Sequence, residues 1–195
     1  MKLVSKLLLI FFILGLISVC LSQKVLAVSE EETKSFQLYQ PQAKQGDADA
    51  QFNLAILYLQ GRGTSQSDIY AVYWLTKAAK QGHVNAQFSL GDLYRHGGGE
   101  EIPRDYKQTL YWYTKAAEQG LALAQYNLGH IYEYGQEGSL DYKQAFFWYT
   151  KAAEQGHYFA KEDRDMMLEK MSQSQIEEVQ KLSKELYEKI NNKAK

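Results

Sequence analysis

The stretch from Trp112 to Tyr132, WYTKAAEQGLALAQYNLGHIY, decides the fold of this chain because its parts recur along the sequence. A Gln-Gly pair ends at four glycines, and the spacings between them are 36, 38 and 36 residues. A tryptophan and a Lys-Ala-Ala triplet precede three of these pairs, and an Ala-Gln pair follows three of them. The glycines are Gly46, Gly82, Gly120 and Gly156, and the tryptophans are Trp74, Trp112 and Trp148. Self-similarity at a period of this length is typical of a repeat architecture.

Each repeated unit contains two helical patterns. In residues 70–81, Ala71, Trp74 and Ala78 lie at i, i+3 and i+7, which is the spacing of one helix face. Gly82 then supplies a left-handed helix end, and a second helical pattern follows in residues 85–94. A helix pair of about 36 residues cannot bury its apolar face alone and must stack on the next pair. The pattern therefore predicts an all-α solenoid with the three indoles in its core.

The motif also resembles a known family. Residues 112–120 followed by residues 124–132 are similar to the Sel-1-like repeat, a branch of the tetratricopeptide superfamily. The resemblance covers about residues 36–171 and implies a right-handed α-solenoid of about four helix-hairpin repeats, at approximately 36–68, 69–105, 106–141 and 142–171. For function it implies protein–protein interaction and scaffold roles, often in exported bacterial proteins.

The two ends of the chain differ from the repeats. Residues 172–195 are predicted to form a C-terminal capping helix, with Ser174 and Glu177 as its capping box. Residues 1–27 have the pattern of a signal peptide: Lys2 and Lys6 precede an apolar run, and Val25-Leu26-Ala27 offers a cleavage site. The run, Leu7 to Leu21, is 15 residues or about 22 Å as a helix, shorter than the ~30 Å apolar core of a membrane. We therefore expect export, to the periplasm or beyond, with a retained membrane anchor as the alternative.

Composition and motifs exclude several classes of function. The chain has 22 Lys and Arg against 23 Asp and Glu, so no cationic excess favours nucleic-acid binding. Its single cysteine, Cys20, excludes a disulfide scaffold and a multi-thiolate metal site. No phosphate-binding loop or Gly-x-Ser-x-Gly motif is present. We expect no cofactor, no metal ligands and no catalytic residues; the four histidines, His83, His96, His130 and His157, lie in different units, with His83 and His157 at equivalent turns.

A candidate binding surface lies on the first helical pattern of each unit. Three aromatic residues directly precede the tryptophans, and three lysines follow them at i+4: Tyr73, Tyr111, Phe147, Lys77, Lys115 and Lys151. On the concave face of a solenoid, these residues would form rows of rings and cations suited to anchoring a peptide or an acidic helix. The alternative is that the three aromatic residues pack between adjacent hairpins, and Phe147 in particular favours burial.

Two classes of function remain. The first is an exported, non-enzymatic scaffold or adaptor that binds another protein or peptide through the concave surface. The alternative is an envelope hydrolase that acts on cell wall or β-lactams, or a secreted factor that engages a host cell. The first is favoured because the repeats are present and a catalytic constellation is missing from the sequence, although fold alone does not fix function.

Overall fold

The computed structural model describes residues 30–98, 101–135 and 140–181, so the predicted signal peptide lies outside the described residues. Within these ranges the chain forms nine helical segments and one isolated bridge, between Gly98 and Ile102. The helices are α1 (30–45), α2 (Ala48–Gln60), α3 (Asp68–Lys80), α4 (Val84–His96), α5 (Tyr106–Glu118), α6 (Ala122–Tyr134), α7 (Tyr142–Glu154), α8 (Ala160–Lys170) and α9 (173–181). The predicted all-α class is confirmed.

The chain divides into two compact units, residues 1–74 and 75–195, and the boundary falls inside α3. In the first unit the ring of Tyr58 links all three helices. It meets Phe36 of α1 edge-on, with ring centroids 5.5 Å apart, and stacks on Tyr70 of α3 at 5.1 Å. A 2.8 Å ion pair between Arg62 and Glu32 also ties the end of α2 to α1.

In the second unit each helix packs on the next one along the chain, from α4 through α8. One buried cluster is centred on Tyr113, Leu128 and Ile131, and a second is centred on Tyr149 and Met167. Packing between sequence neighbours is the property that defines a helical solenoid. The solenoid architecture predicted from the repeats is therefore confirmed.

The repeated turn residues begin and end the helices. Asp105 and Asp141 each precede a helix, and their carboxylates accept backbone N–H bonds from Gln108 and Gln144 in its first turn. At the Gln-Gly pairs the glycine has a positive φ, 92° at Gly120, so the chain can reverse where other residues would be strained. The resulting helix pairs have a fixed and short connection.

The predicted core tryptophans are buried. Trp74, Trp112 and Trp148 are each 7% exposed. Glycine at the helix crossings has an equally clear role. A Cβ added to Gly129 would lie 2.5 Å from a ring carbon of Tyr149, and Gly91 has the same relationship with Tyr113. The close approach of α6 to α7 and of α4 to α5 therefore depends on the missing side chain.

A chain of glutamine side chains connects successive repeats. Gln125 is 4% exposed; its amide donates to the carbonyl of Ala117 at 3.0 Å, and its carbonyl accepts from Gln155 at 2.6 Å. Gln87 makes the corresponding bonds with Ala79 and Gln119. The Ala-Gln and Gln-Gly motifs recur together because the glutamines of one unit bond to those of the next.

Helix α9 covers one end of the second buried cluster, because Ile176 and Val179 pack against it and Val179 is 1% exposed. The rest of the predicted capping helix lies outside the described residues. The predicted capping box was wrong by two residues. Ser172 Oγ accepts from the backbone N–H of Gln175 at 3.3 Å, and Gln175 Oε1 accepts from that of Ser172 at 2.8 Å. A glutamine thus fills the role assigned to Glu177.

Candidate functional site

The three predicted surface aromatics fall into two groups. Tyr73 in α3 and Tyr111 in α5 are about half exposed, whereas Phe147 in α7 is 5% exposed and packs in the core with Leu128 and Trp148. The prediction that Phe147 belongs to an exposed surface is wrong, because its apolar ring is enclosed by α6 and α7. The packing alternative is correct for this residue.

The two exposed tyrosines are held by the core tryptophans that follow them. Tyr111 meets Trp112 edge-on, with ring centroids 4.8 Å apart and an interplanar angle of 80°. Tyr73 and Trp74 have nearly the same geometry, at 4.9 Å and 80°. Each tyrosine therefore presents part of a ring to solvent on a rigid support.

The three predicted lysines also differ. Lys77 and Lys115 are exposed, and the Nζ of Lys115 lies 6.0 Å from the centroid of the Tyr111 ring and 3.5 Å from Glu118. The side chain of Lys151 is only 12% exposed and pairs with Glu154 at 3.0 Å. The structure thus brings Tyr111 and Lys115 together as predicted and largely withdraws Lys151 from solvent.

A second aromatic surface was missed by the sequence analysis. His157 stacks on Tyr126 with ring centroids 4.2 Å apart, Tyr126 lies 6.4 Å from His130, and His130 lies 4.5 Å from Tyr134. These four residues, which we call the ring row, extend from the α7–α8 turn along α6. Tyr134 at the far end is 61% exposed.

Carboxylates lie beside the ring row. The hydroxyl of Tyr126 is hydrogen-bonded to Asp163 of α8, and burial together with this bond raises the pKa of Tyr126 to about 12. Glu133 is buried, but both of its oxygens are occupied, one by the Tyr149 hydroxyl at 2.7 Å and one by Lys170 at 2.8 Å. The environment of Tyr126 is therefore electronegative and partly enclosed.

The two histidines of the ring row are in an unusual state. Burial and the nearby Arg95 guanidinium lower the pKa of His130, so this imidazole is neutral at pH 7. The Nδ1 atoms of His130 and His157 are buried and have no hydrogen-bond partner among the described residues. At the turn equivalent to that of His157, His83 Nδ1 accepts from the backbone of Ala86 at 3.1 Å. The structural role predicted for this turn thus applies to His83, whereas His157 stacks on Tyr126.

One signal in the sequence could have located the ring row. The helices after the Gln-Gly turns share their core residues, but one position carries isoleucine, aspartate, histidine or methionine in successive units. These residues are Ile56, Asp92, His130 and Met166. A position that changes its chemistry while its neighbours repeat is released from the shared packing and can serve recognition.

The described residues offer no alternative site for a metal or a membrane. No group of three or more His, Cys, Asp or Glu side chains among them could hold a metal ion. None of the described helices combines the length and apolar character that crossing a bilayer requires.

Comparison with known proteins agrees with this fold. The model of the Sel1 repeat matches residues 48–83, 84–121 and 122–157. No curated protein sequence gives a significant match. The crystal structure of a Sel1 repeat protein from Oxalobacter formigenes is 34% identical, with a TM-score of 0.62, and the match covers 68% of this chain and 38% of that one.

Two further solved structures are more distant. A protective antigen present in uropathogenic Escherichia coli strains, which displays an SLR fold, is 25% identical with a TM-score of 0.42, over 83% of this chain and 50% of that one. An immunity protein from Pseudomonas aeruginosa is 22% identical with a TM-score of 0.37, over 80% and 73%. This chain spans about two fifths of the Oxalobacter protein and half of the Escherichia antigen. From the three matched repeats and the sequential helix packing, we conclude that the chain belongs to the Sel1 repeat family, whose members are generally scaffolds for protein–protein interaction.

Proposed function

We propose that this chain is an exported, non-enzymatic scaffold that holds a partner protein, and that Tyr111 and Lys115 of α5 contact the partner. The observation that carries this proposal is the half-exposed ring of Tyr111, which is supported from below by Trp112 and flanked by the ammonium group of Lys115. Membership of the Sel1 repeat family supports the scaffold role.

A supported tyrosine is well suited to binding. Its ring is already fixed, so little side-chain entropy is lost on association, and the hydroxyl can still form a hydrogen bond at the interface. Lys115 adds a positive charge that favours an acidic partner surface and speeds encounter. The half-exposed Tyr73 is the equivalent residue of the first unit and is proposed to act in the same way on its own unit.

The test is crosslinking in intact cells followed by capture of the chain and identification of what is bound to it. Tyr111→Ala and Lys115→Ala are expected to reduce the yield of one specific partner by several-fold, because buried interface tyrosines commonly act as hot spots. Lys107→Ala is the matched control, since Lys107 is an exposed lysine of the same helix. Equal yields from all three variants would rule out this surface.

Export is the second part of the proposal and is supported by the sequence of residues 1–27. Cell fractionation followed by N-terminal sequencing tests it directly. We expect a mature chain that begins after Ala27 and is found outside the cytoplasm. A chain that keeps its first residues in the membrane fraction would indicate the anchor alternative.

A further inference from the structure

We infer that the ring row, together with the carboxylate of Asp163, is a subsite that receives an arginine or lysine side chain of an extended partner peptide. This inference rests on the proposed scaffold function but assigns a different surface of the second unit, formed by α6, α8 and the turn before α8.

The first argument is the charge at this place. Glu133 is balanced by Lys170, and Arg164 is paired with Asp165 at 2.7 Å. Asp163, by contrast, has no lysine or arginine nitrogen within 4.0 Å among the described residues, although it accepts the hydroxyl of Tyr126. An incoming cation would supply the ion pair that Asp163 lacks.

The second argument is the aromatic surface beside that carboxylate. The faces of tyrosine rings attract cations, and a guanidinium group can stack on such a face while it donates hydrogen bonds to a carboxylate. His130 strengthens the case because a neutral imidazole does not repel the ligand. Tyr134 and, next to His157, Tyr158 are 61% and 81% exposed, so the row can be approached from solvent.

A purely structural role explains less of this arrangement. An acid in the first turn of a helix stabilises its N-terminus, and this accounts for Glu162 and Asp163 as a pair. It does not account for the hydrogen bond from Tyr126 to Asp163 or for the imidazole stacked on the same ring. These contacts hold Asp163 beside the aromatic surface, as a basic side chain would require.

The test uses the purified full chain and short fluorescent Gly-Ser peptides that carry either spaced arginines or spaced glutamates. Binding is followed by fluorescence anisotropy. We expect the arginine peptide to bind more tightly than the glutamate peptide, and Asp163→Asn and Tyr134→Ala each to weaken it by roughly fivefold. Tyr134→Phe should keep most of the affinity because it keeps the ring.

Glu162→Gln is the matched control, since it removes the same charge from the same helical turn without touching the ring row. Equal losses for Glu162→Gln and Asp163→Asn would overturn the subsite and leave only a general electrostatic effect. Tighter binding of the glutamate peptide, or no binding of either peptide, would also overturn it. Tyr111→Ala should leave the arginine peptide affinity unchanged, so failure here is distinguishable from failure of the proposed α5 surface. Circular dichroism of every variant verifies that the helices are intact.

Discussion

The hydroxyl of Tyr149 donates a 2.7 Å hydrogen bond to a carboxylate oxygen of Glu133, whose side chain is only 4% exposed. Lys170 satisfies the other oxygen at 2.8 Å. Burying a carboxylate is costly unless its oxygens are bonded, and here one helix supplies the acid and two later helices supply its partners. The pair therefore joins α6, α7 and α8 at one point.

Replacing Tyr149 by phenylalanine should lower the free energy of unfolding by about 1–3 kcal/mol, because a buried oxygen of Glu133 loses its donor. Urea unfolding followed by circular dichroism measures this loss. Tyr113→Phe is the control at the equivalent position, where the hydroxyl bonds to the half-buried Asp92. We expect a smaller loss there because water can replace the donor. Equal losses in the two variants would contradict the role of burial.

Gly129→Ala should destabilise the chain by about 1–3 kcal/mol, because the new methyl group would overlap the ring of Tyr149. At an open helical position the same change would stabilise by up to about 1 kcal/mol, so the sign of the effect is the test. Gly91→Ala should behave in the same way against Tyr113. A second substitution, Tyr149→Leu, should cancel part of the penalty of Gly129→Ala. Additive losses in that double variant would show that the overlap is not the cause.

Much of the fold could be predicted from the sequence because the repeated motifs encode local events. The Gln-Gly pairs specify turns that need a positive φ, and the Ala-Trp-Ala spacing specifies a buried helix face, so both were identified correctly. The environment of Phe147 could not be predicted in this way. It occupies the same repeat position as Tyr111, and only the neighbouring core residues decide which ring is covered.

The ring row was missed for a related reason. Tyr126, His130 and Tyr134 are visible as a stripe on one helix, but the partners that give it chemistry, His157 and Asp163, come from the following turn and helix. No local spacing links residue 126 to residues 157 and 163. Such contacts follow from how consecutive hairpins stack, which a single sequence specifies only through the assembled core.

Phe147→Ala and Tyr111→Ala form a matched pair that tests the distinction directly. Phe147→Ala should cost about 3–5 kcal/mol of unfolding free energy, because it empties a filled core position. Tyr111→Ala should cost less than about 1 kcal/mol, since half of that ring already lies in solvent and only its contact with Trp112 is lost. Chemical denaturation of both variants gives the comparison. Similar losses would mean that the two rings have the same environment and that Tyr111 is not available to a partner.

The stability of the chain should fall as the pH rises from about 10 to about 12, and Tyr126 should account for part of this loss. Its pKa is near 10 when the chain is unfolded and about 12 when it is folded, so the folded state keeps a proton that the unfolded state releases. The stabilising contribution is therefore complete below pH 10 and disappears as the pH passes the folded value. Tyr126→Phe has no proton to lose and should show a shallower decline over this interval in thermal unfolding. Tyr158→Phe, at a ring that is 81% exposed, should follow the unmodified chain, and a shallower curve for both variants would refute the assignment to Tyr126.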